Sequence, residues 1–340
     1  MTVGLHQIQG QSGAAARLGS LLRSERLPHA LLLEGPDGVG KMRAARILAQ
    51  ILLCAHRPSL GEACGRCGPC HKFQAGTHAD FSVVTTDARH IKIDEIREAE
   101  RALRLRSLEG PRRVMLFEDV HRVTLGGQNA LLKTLEEPPG ATHLILTTSR
   151  IRWLVPTIVS RCQRIAFGPI PESDLVAILR DDDGLDEGAA RLVAALAHGS
   201  LGRARASDVD TLVGRRDLVA QLDAQLDPGP RSSVSLALQT AQDLASDRAE
   251  LAATLDLWVV WLRDQLIRAV GVEQPVASAD RVDELDTGAR RGRAEILHRA
   301  RAVLEARRQL DLPYNLNAQL VTEQLCLVLA GRGRMVPVSA

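Results

Sequence analysis

Aromatic residues are nearly missing from this chain: one Tyr, three Trp and four Phe in 340 residues. Ala, Leu and Arg carry the sequence instead, a balance that favours helices. Net charge is nearly missing too. The 43 Lys and Arg stand against 41 Asp and Glu, a formal charge of +2. The strongly basic footprint of a dedicated nucleic-acid binder is therefore absent overall, with room only for a local patch. No uninterrupted apolar stretch approaches ~18 residues, so no membrane-spanning helix is expected. The opening MTVGLHQIQG lacks a basic segment followed by an apolar core, so the sequence predicts no secretory signal and a cytoplasmic location. Cysteine is the last scarcity. There are six, and three of them fall within CGRCGPC (64–70). Cytoplasmic thiols stay reduced, so a cluster points to a metal before a disulfide.

What is there reads as two kinds of structure. A chain of 340 residues is too long for one ordinary core, so two or three domains are expected. It contains no internal repeat and no long low-complexity segment. Residues 30–167 alternate between strand and helix patterns. ALLLE (30–34), FSVVTT (81–86), RVMLFE (113–118) and HLILTT (143–148) read as apolar strands. A helix is expected from about Lys41 to Leu53. IDEIREAERALRL (93–105) places Ile93, Ile96, Ala99 and Leu103 on one helical face. QNALLKTLEE (128–137) is a helix that Pro138-Pro139 ends. Such alternation implies a parallel sheet flanked by helices. After GPIPESD (168–174) no convincing strand follows. Residues 172–205 suit short helices broken at Gly184 and at Gly199-Gly202, and from about 211 onward the spacing is helical, with breaks near 227–233, 271–278 and 311–317. The expected architecture is an α/β domain over 1–170, a small helical domain over 171–208 and a larger all-α domain over 209–340.

GPDGVGKM (35–42) follows the first strand and opens the first helix, the context that the phosphate-loop pattern G-x-x-x-x-G-K-[S/T] requires. Gly35, Gly38 and Gly40 would let backbone N–H groups converge on phosphate oxygens at the positive end of a helix, and Lys41 would supply a point charge. Met42 departs from the pattern. A Ser or Thr hydroxyl normally ligates Mg²⁺ there, and a thioether is a poor ligand for so hard a cation. The strand ending in Glu118-Asp119 departs as well, since the usual order in such ATPases is Asp-Glu. Small misplacements at these positions cost large rate factors. The plain alternative is a Gly-rich turn. The chemical reading is a phosphate-loop fold that can hold ATP or ADP and hydrolyses it poorly or not at all.

LPHALLLEGPDGVGK (27–41), GTHADF (76–81), IKIDEIRE (91–98), NALLKTLEEPP (129–139) and PTIVSRCQRIAF (156–167) occur in this order. Together they resemble the AAA+ clamp-loader subunits of bacterial DNA polymerase III, and the δ′ type more than the γ/τ motor type. The resemblance covers about residues 6–205; beyond 210, WLRDQL (261–266) and NLNAQLVTEQLCLVL (315–329) look like the family's collar helices. It implies an AAA+ α/β phosphate-loop domain with a zinc module at 54–70, a helical lid and a helical collar that oligomerises. It also implies specific roles. Arg161 of Ser160-Arg161-Cys162 corresponds to an arginine finger that acts in trans on a neighbour's ATP site, where a guanidinium stabilises transition-state charge. Thr148 corresponds to sensor 1 and Arg203 of GSLGRA (199–204) to sensor 2. The implied partners are γ/τ and δ subunits, with the sliding clamp and primed DNA met through the assembled complex, and neither intrinsic ATPase nor polymerase activity is expected of this chain. The plain reading of Arg161 is a solvated residue at a strand end. Two other functions stay open: a self-sufficient ATPase of the γ/τ type, and a zinc-containing DNA-binding adaptor.

Cys54 precedes the cluster, giving Cys54, Cys64, Cys67 and Cys70. Two C-x-x-C steps that share Cys67, plus one more distant thiol, suffice for a tetrahedral zinc with no open position, hence a structural one. The resemblance implies a zinc module at this place in the chain. His56 or His71 could replace one cysteine. A redox C-x-x-C fits less well, because it needs one dithiol pair in its own βαβ setting. Cys162 and Cys326 lie in apolar segments and are expected to pack as small buried residues.

Overall fold

The computed structural model describes residues 2–24, 27–86, 88–228, 233–312 and 316–335. The chain divides into two compact units. The first runs to Leu175 and includes Gly199–Arg203; the second comprises Val176–His198 and everything from Ala204 onward.

In the first unit the elements are β1 (Val3–Gly4), α1 (Ser12–Arg23), β2 (Ala30–Glu34), α2 (Lys41–Leu53), β3 (Glu62–Ala63), α3 (Gly68–Gln74), β4 (Phe81–Val84), α4 (Ile93–Leu103), β5 (Arg113–Phe117), α5 (Leu125–Glu136), β6 (Thr142–Thr148), α6 (Pro156–Arg161) and β7 (Gln163–Ala166). Five strands form a wholly parallel sheet in the order β4-β5-β6-β2-β7. β2 is an unbroken apolar run because helices cover both faces of a parallel sheet. Leu31 and Leu33 enter the apolar cluster shared with α1 and α2, whereas Leu32 enters the opposite cluster with Ile96, Phe117 and Leu131. That split is the two-residue period of a strand.

Three features go beyond the sequence reading. β7 is a strand that the sequence did not single out: it is a four-residue edge in which only Ile165 is buried, too short to show a period. β1 and β3 make a separate two-stranded antiparallel pair. α5 starts at Leu125, earlier than expected, because Gly126-Gly127 resembles a breaker. Gly127 is instead a packing position, where a Cβ would sit 2.7 Å from Val123 Cγ1.

The GTHADF segment also has a structural use. Asp80 is buried and accepts hydrogen bonds from the N–H groups of Leu108 (2.9 Å) and Glu109 (2.7 Å). Arg113 Nη2 donates to it at 3.3 Å and to Arg106 O at 2.8 Å. Burial alone raises the Asp80 pKa, but these N–H donors and Arg113 outweigh it and hold the carboxyl below its usual range. The chain between α4 and β5 is thereby tied to the start of β4.

From Glu172 the described chain is helical: α7 (Glu172–Asp181), α8 (Glu187–Ala197), α9 (Leu201–Ala206), α10 (Val209–Gln225), α11 (Val234–Leu244), α12 (Arg248–Val270), α13 (Val282–Ala289), α14 (Arg293–Asp311) and α15 (Ala318–Leu329). The expected break at 271–278 begins at Gly271, left-handed with φ 72°, the usual end of a helix. The expected breaks at 227–233 and 311–317 fall partly on residues 229–232 and 313–315, outside the described residues. The second unit is built around α12 and α14, whose Trp258, Trp261, Leu262, Ile296 and Val303 are buried together with Leu325 of α15. α8 packs against α10 and α12 in this unit. Cys162 and Cys326 are buried in separate units, and burial pushes both thiols up to about 12. Among the described residues no helix is long and apolar enough to cross a membrane.

Candidate functional site

The phosphate loop leaves the carboxyl end of β2, between β6 and β7. This is where strand order reverses, the usual position of a ligand crevice in an open α/β sheet. Gly35 N donates to Thr148 O at 3.1 Å, which anchors the loop to β6. Gly38 has φ 73°, and a Cβ there would meet Ser200 Oγ at 2.2 Å. Gly202 N donates to Gly38 O at 2.9 Å, so the start of α9 rests directly on the loop. Gly40, with φ 97°, precedes α2.

Lys41 is buried, at 6% exposure. Its Nζ donates to Gly35 O at 2.8 Å and Pro36 O at 2.5 Å, with Asp37 Oδ1 at 4.0 Å. Burial lowers its pKa, and Asp37 and Asp119 act in the opposite sense. The ammonium thus hydrogen-bonds the carbonyls of its own loop. Met42 is partly buried against the α1–α2 apolar cluster and presents no oxygen.

At the end of β5, Glu118 and Asp119 are half-buried. Asp119 is left-handed, with φ 48°, and its N–H donates to Thr147 Oγ1 at 3.0 Å. Thr148 is wholly buried. Its Oγ1 lies 3.3 Å from His121 Nδ1 and accepts the Arg150 N–H at 3.1 Å. The same His121 nitrogen is 3.9 Å from Asp119 Oδ1. Burial lowers the His121 pKa while Asp119 opposes it. His121 was not visible as a site residue in the sequence; only its position two residues after the acidic pair hints at it. The structure brings Gly35, Gly38, Gly40 and Lys41 to the same sheet end as Asp119 and Thr148. It also seats the backbone beside Arg203 on Gly38, with the Arg203 N–H donated to Ser200 Oγ at 3.2 Å.

The four cysteines Cys54, Cys64, Cys67 and Cys70 converge. Their sulfurs all lie within 4.8 Å of one another, with Cys54 to Cys64 at 3.6 Å and Cys54 to Cys67 at 4.0 Å. A tetrahedral zinc with Zn–S of ~2.3 Å spaces its sulfurs by ~3.8 Å, so the donor set fits that ion. Local structure explains the convergence: Cys54 ends α2, Cys67 opens α3, Cys70 lies within α3 and Cys64 follows β3. The Arg66 N–H brings the Cys64 thiol down to about 6, whereas burial pushes Cys70 up to about 12 and raises Cys54. His56 and His71 are exposed, and among the described residues neither belongs to the group.

Arg161 is the last residue of α6, not part of a strand. It is exposed. Its Nη1 donates to Thr157 O at 3.1 Å, and its Nη2 pairs with Glu136, the last residue of α5. Beneath it Cys162 is buried and leads into β7.

Residues 10–171 match the family described as DNA polymerase III, delta subunit, and residues 212–330 match its C-terminal counterpart. The DNA polymerase III subunit delta′ of Escherichia coli (strain K12) is 32% identical over 249 residues, 72% of this chain and 72% of that one. The chain belongs to the delta-prime subunit family of DNA polymerase III. The delta′ subunit of Bacillus subtilis (strain 168) is 27% identical over 91% of this chain and 92% of its own length. The tau subunit of the same organism is 30% identical over 82% of this chain; that match spans about half of tau, 52%. Both delta-prime matches draw on most of the chain, so the family extends through the α/β unit and into the helical one. Within the delta-prime frame the sites separate into a glycine-rich loop with a self-bonded lysine, a thiol cluster fit for a metal, and a half-exposed arginine.

Proposed function

We propose that this delta-prime family chain is a stator of the DNA polymerase III clamp loader. In this reading Arg161 is an arginine finger placed in trans at the ATP site of a neighbouring γ/τ-type subunit, and the ring so assembled loads the sliding clamp on primed DNA. Residues 1–170 form the AAA+ domain, 171–208 the lid and 209–340 the collar that meets the γ/τ and δ subunits. The work is cytoplasmic.

One contrast carries the reading. The half-exposed Arg161 guanidinium stands at the end of α6 with donors to spare, while the chain's own phosphate loop has its lysine bonded to Gly35 O and Pro36 O and Met42 turned into apolar packing. The arginine is available to a neighbour, and the home site is poorly equipped for hydrolysis. ATP or ADP can occupy the pocket at Gly35, Gly38, Gly40 and Lys41, with Glu118, Asp119, Thr148 and Arg203 around it, but turnover there is negligible. Cys54, Cys64, Cys67 and Cys70 hold a structural zinc, which crosslinks the chain between α2 and α3.

The test is reconstitution of the complex with Arg161→Ala, measuring ATP hydrolysis in the presence of clamp and primed DNA. A finger is worth roughly 10³–10⁵ in rate at its own site, so that site should fall silent while assembly persists. Arg161→Lys should rescue little, because a point charge cannot reproduce the forked donors. Wild-type turnover and clamp loading by the Ala variant would refute the proposal.

A further inference from the structure

The Arg161 side chain is half-exposed, at 34%, yet it is held at two points. Thr157 O, one turn back in α6, takes Nη1 at 3.1 Å, and the Glu136 carboxylate takes Nη2. A guanidinium carries about five N–H donors in one plane, so two acceptors leave donors over for a further oxyanion. Glu136 has its own reason to keep the contact. It is the final residue of α5, where the helix dipole disfavours a carboxylate unless a cation lies close. α5 and α6 pack against each other, so the partner arrives on a fixed element.

We propose that Glu136 is a positioning residue for Arg161. Its carboxylate holds one edge of the guanidinium against the end of α6, so that the remaining donors face outward already oriented for a terminal phosphate on the adjoining subunit. The inference rests on the finger reading above. It adds that the LEEPP segment belongs to the trans-acting site through Glu136, a residue that itself touches no nucleotide. Pre-orientation lowers the ordering that the transition state would otherwise demand of a long side chain. The effect is modest, because a solvent-accessible pair biases a population only about 2- to 5-fold.

The experiment compares Glu136→Gln, Glu136→Asp, Glu136→Lys and Arg161→Ala in the reconstituted complex, with clamp and primed DNA. Glu136→Gln should lower kcat about 2- to 5-fold and leave the KM for ATP unchanged, since the phosphate-binding loop at that site belongs to the neighbour. Glu136→Lys should fall further, and Glu136→Asp should recover part of the loss. In the isolated chain, ¹⁵N relaxation of the Arg161 Nε–H should report an ordered side chain in the wild type and a mobile one in Glu136→Gln. That last readout stands even if a variant assembles poorly. If Arg161→Ala cripples turnover while Glu136→Gln matches or exceeds the wild type, the finger stands and the positioning role is wrong. An Arg161 Nε–H equally ordered in both chains overturns it too. If Arg161→Ala turns over ATP and loads clamps at the wild-type rate, the finger reading fails and the role of Glu136 goes with it.

Discussion

The Asp223 carboxylate of the helical unit contrasts with two groups of the α/β unit, the four thiols and the Arg161 guanidinium. The Asp223 carboxylate accepts from Gln265 Nε2 at 2.7 Å, Arg291 Nη1 at 2.7 Å, Arg299 Nη2 at 2.8 Å, and the indole N–H groups of Trp261 and Trp258 at 3.3 and 3.5 Å. Arg299 is wholly buried and also donates to Leu329 O at 2.8 Å. Every strong acceptor site of that carboxylate is met from within the unit. In the α/β unit, four thiols face one another with sulfurs close enough for one ion, and Arg161 keeps donors over. A carboxylate satisfied from inside ties helices together, whereas a convergent thiol set and a half-exposed guanidinium with donors to spare can still engage a group from outside the chain.

The largest effect should come from the thiols. Metal binding free energy is folding free energy in such a module, about 10–16 kcal/mol apparent in zinc-finger peptides. Cys64→Ser, or exhaustive chelation, should release zinc and expose residues 54–74 to protease. Amide exchange in α12 and α14 should stay unchanged. Elemental analysis that finds no metal in the native reduced protein would refute a zinc at these thiols.

Asp223→Ala should cost less, about 3–5 kcal/mol in urea unfolding, because it leaves Arg299 buried without its counter-charge. A cost under ~1 kcal/mol would mean that the network is ornamental. The pH dependence has a definite sign. Burial alone raises the Asp223 pKa, but Arg299 and Arg291 outweigh it, so the folded value lies below that of the unfolded chain. Its stabilisation is therefore fully present above about pH 3.9 and is lost as pH falls through the folded value. The wild type should show that acid limb, and Asp223→Ala should flatten it. Asp80, also held low, contributes a limb of the same sign in the other unit, so the read-out must be local amide exchange.

The smallest effect is expected at Arg161. Arg161→Ala removes a half-exposed pair and no packing, so chain stability should move by no more than about 0.5 kcal/mol. A thermal melt checks it. A loss above ~1.5 kcal/mol would class Arg161 with Arg299, as a residue that holds the fold.

Much of this was readable beforehand, and the reasons are specific. β2 shows as an apolar run because both of its faces are covered, and α4 shows because Ile96, Ala99 and Leu103 recur on one buried face. The four cysteines show because two C-x-x-C steps sharing Cys67, with Cys54 ten residues before Cys64, form a close-spaced pattern of the kind that suits a metal. β7 did not show, since a four-residue edge with one buried side chain carries no period. His121 did not show either: its meaning comes from Thr148, 27 residues away in the chain.

What the sequence determined by itself is local and periodic: the order of strands and helices, the loop that opens α2, the missing hydroxyl at Met42, and a thiol set sufficient for one ion. Each follows from residues near one another in the chain. What only the tertiary structure decided is who meets whom across long separations. Gly202 rests on Gly38, Asp80 ties down the chain before Arg113, Thr148 meets His121, and Glu136 meets Arg161. Hydrogen bonds and ion pairs act over about 3 Å, and whether two side chains come that close depends on how the sheet and helices pack. No spacing along the chain encodes it.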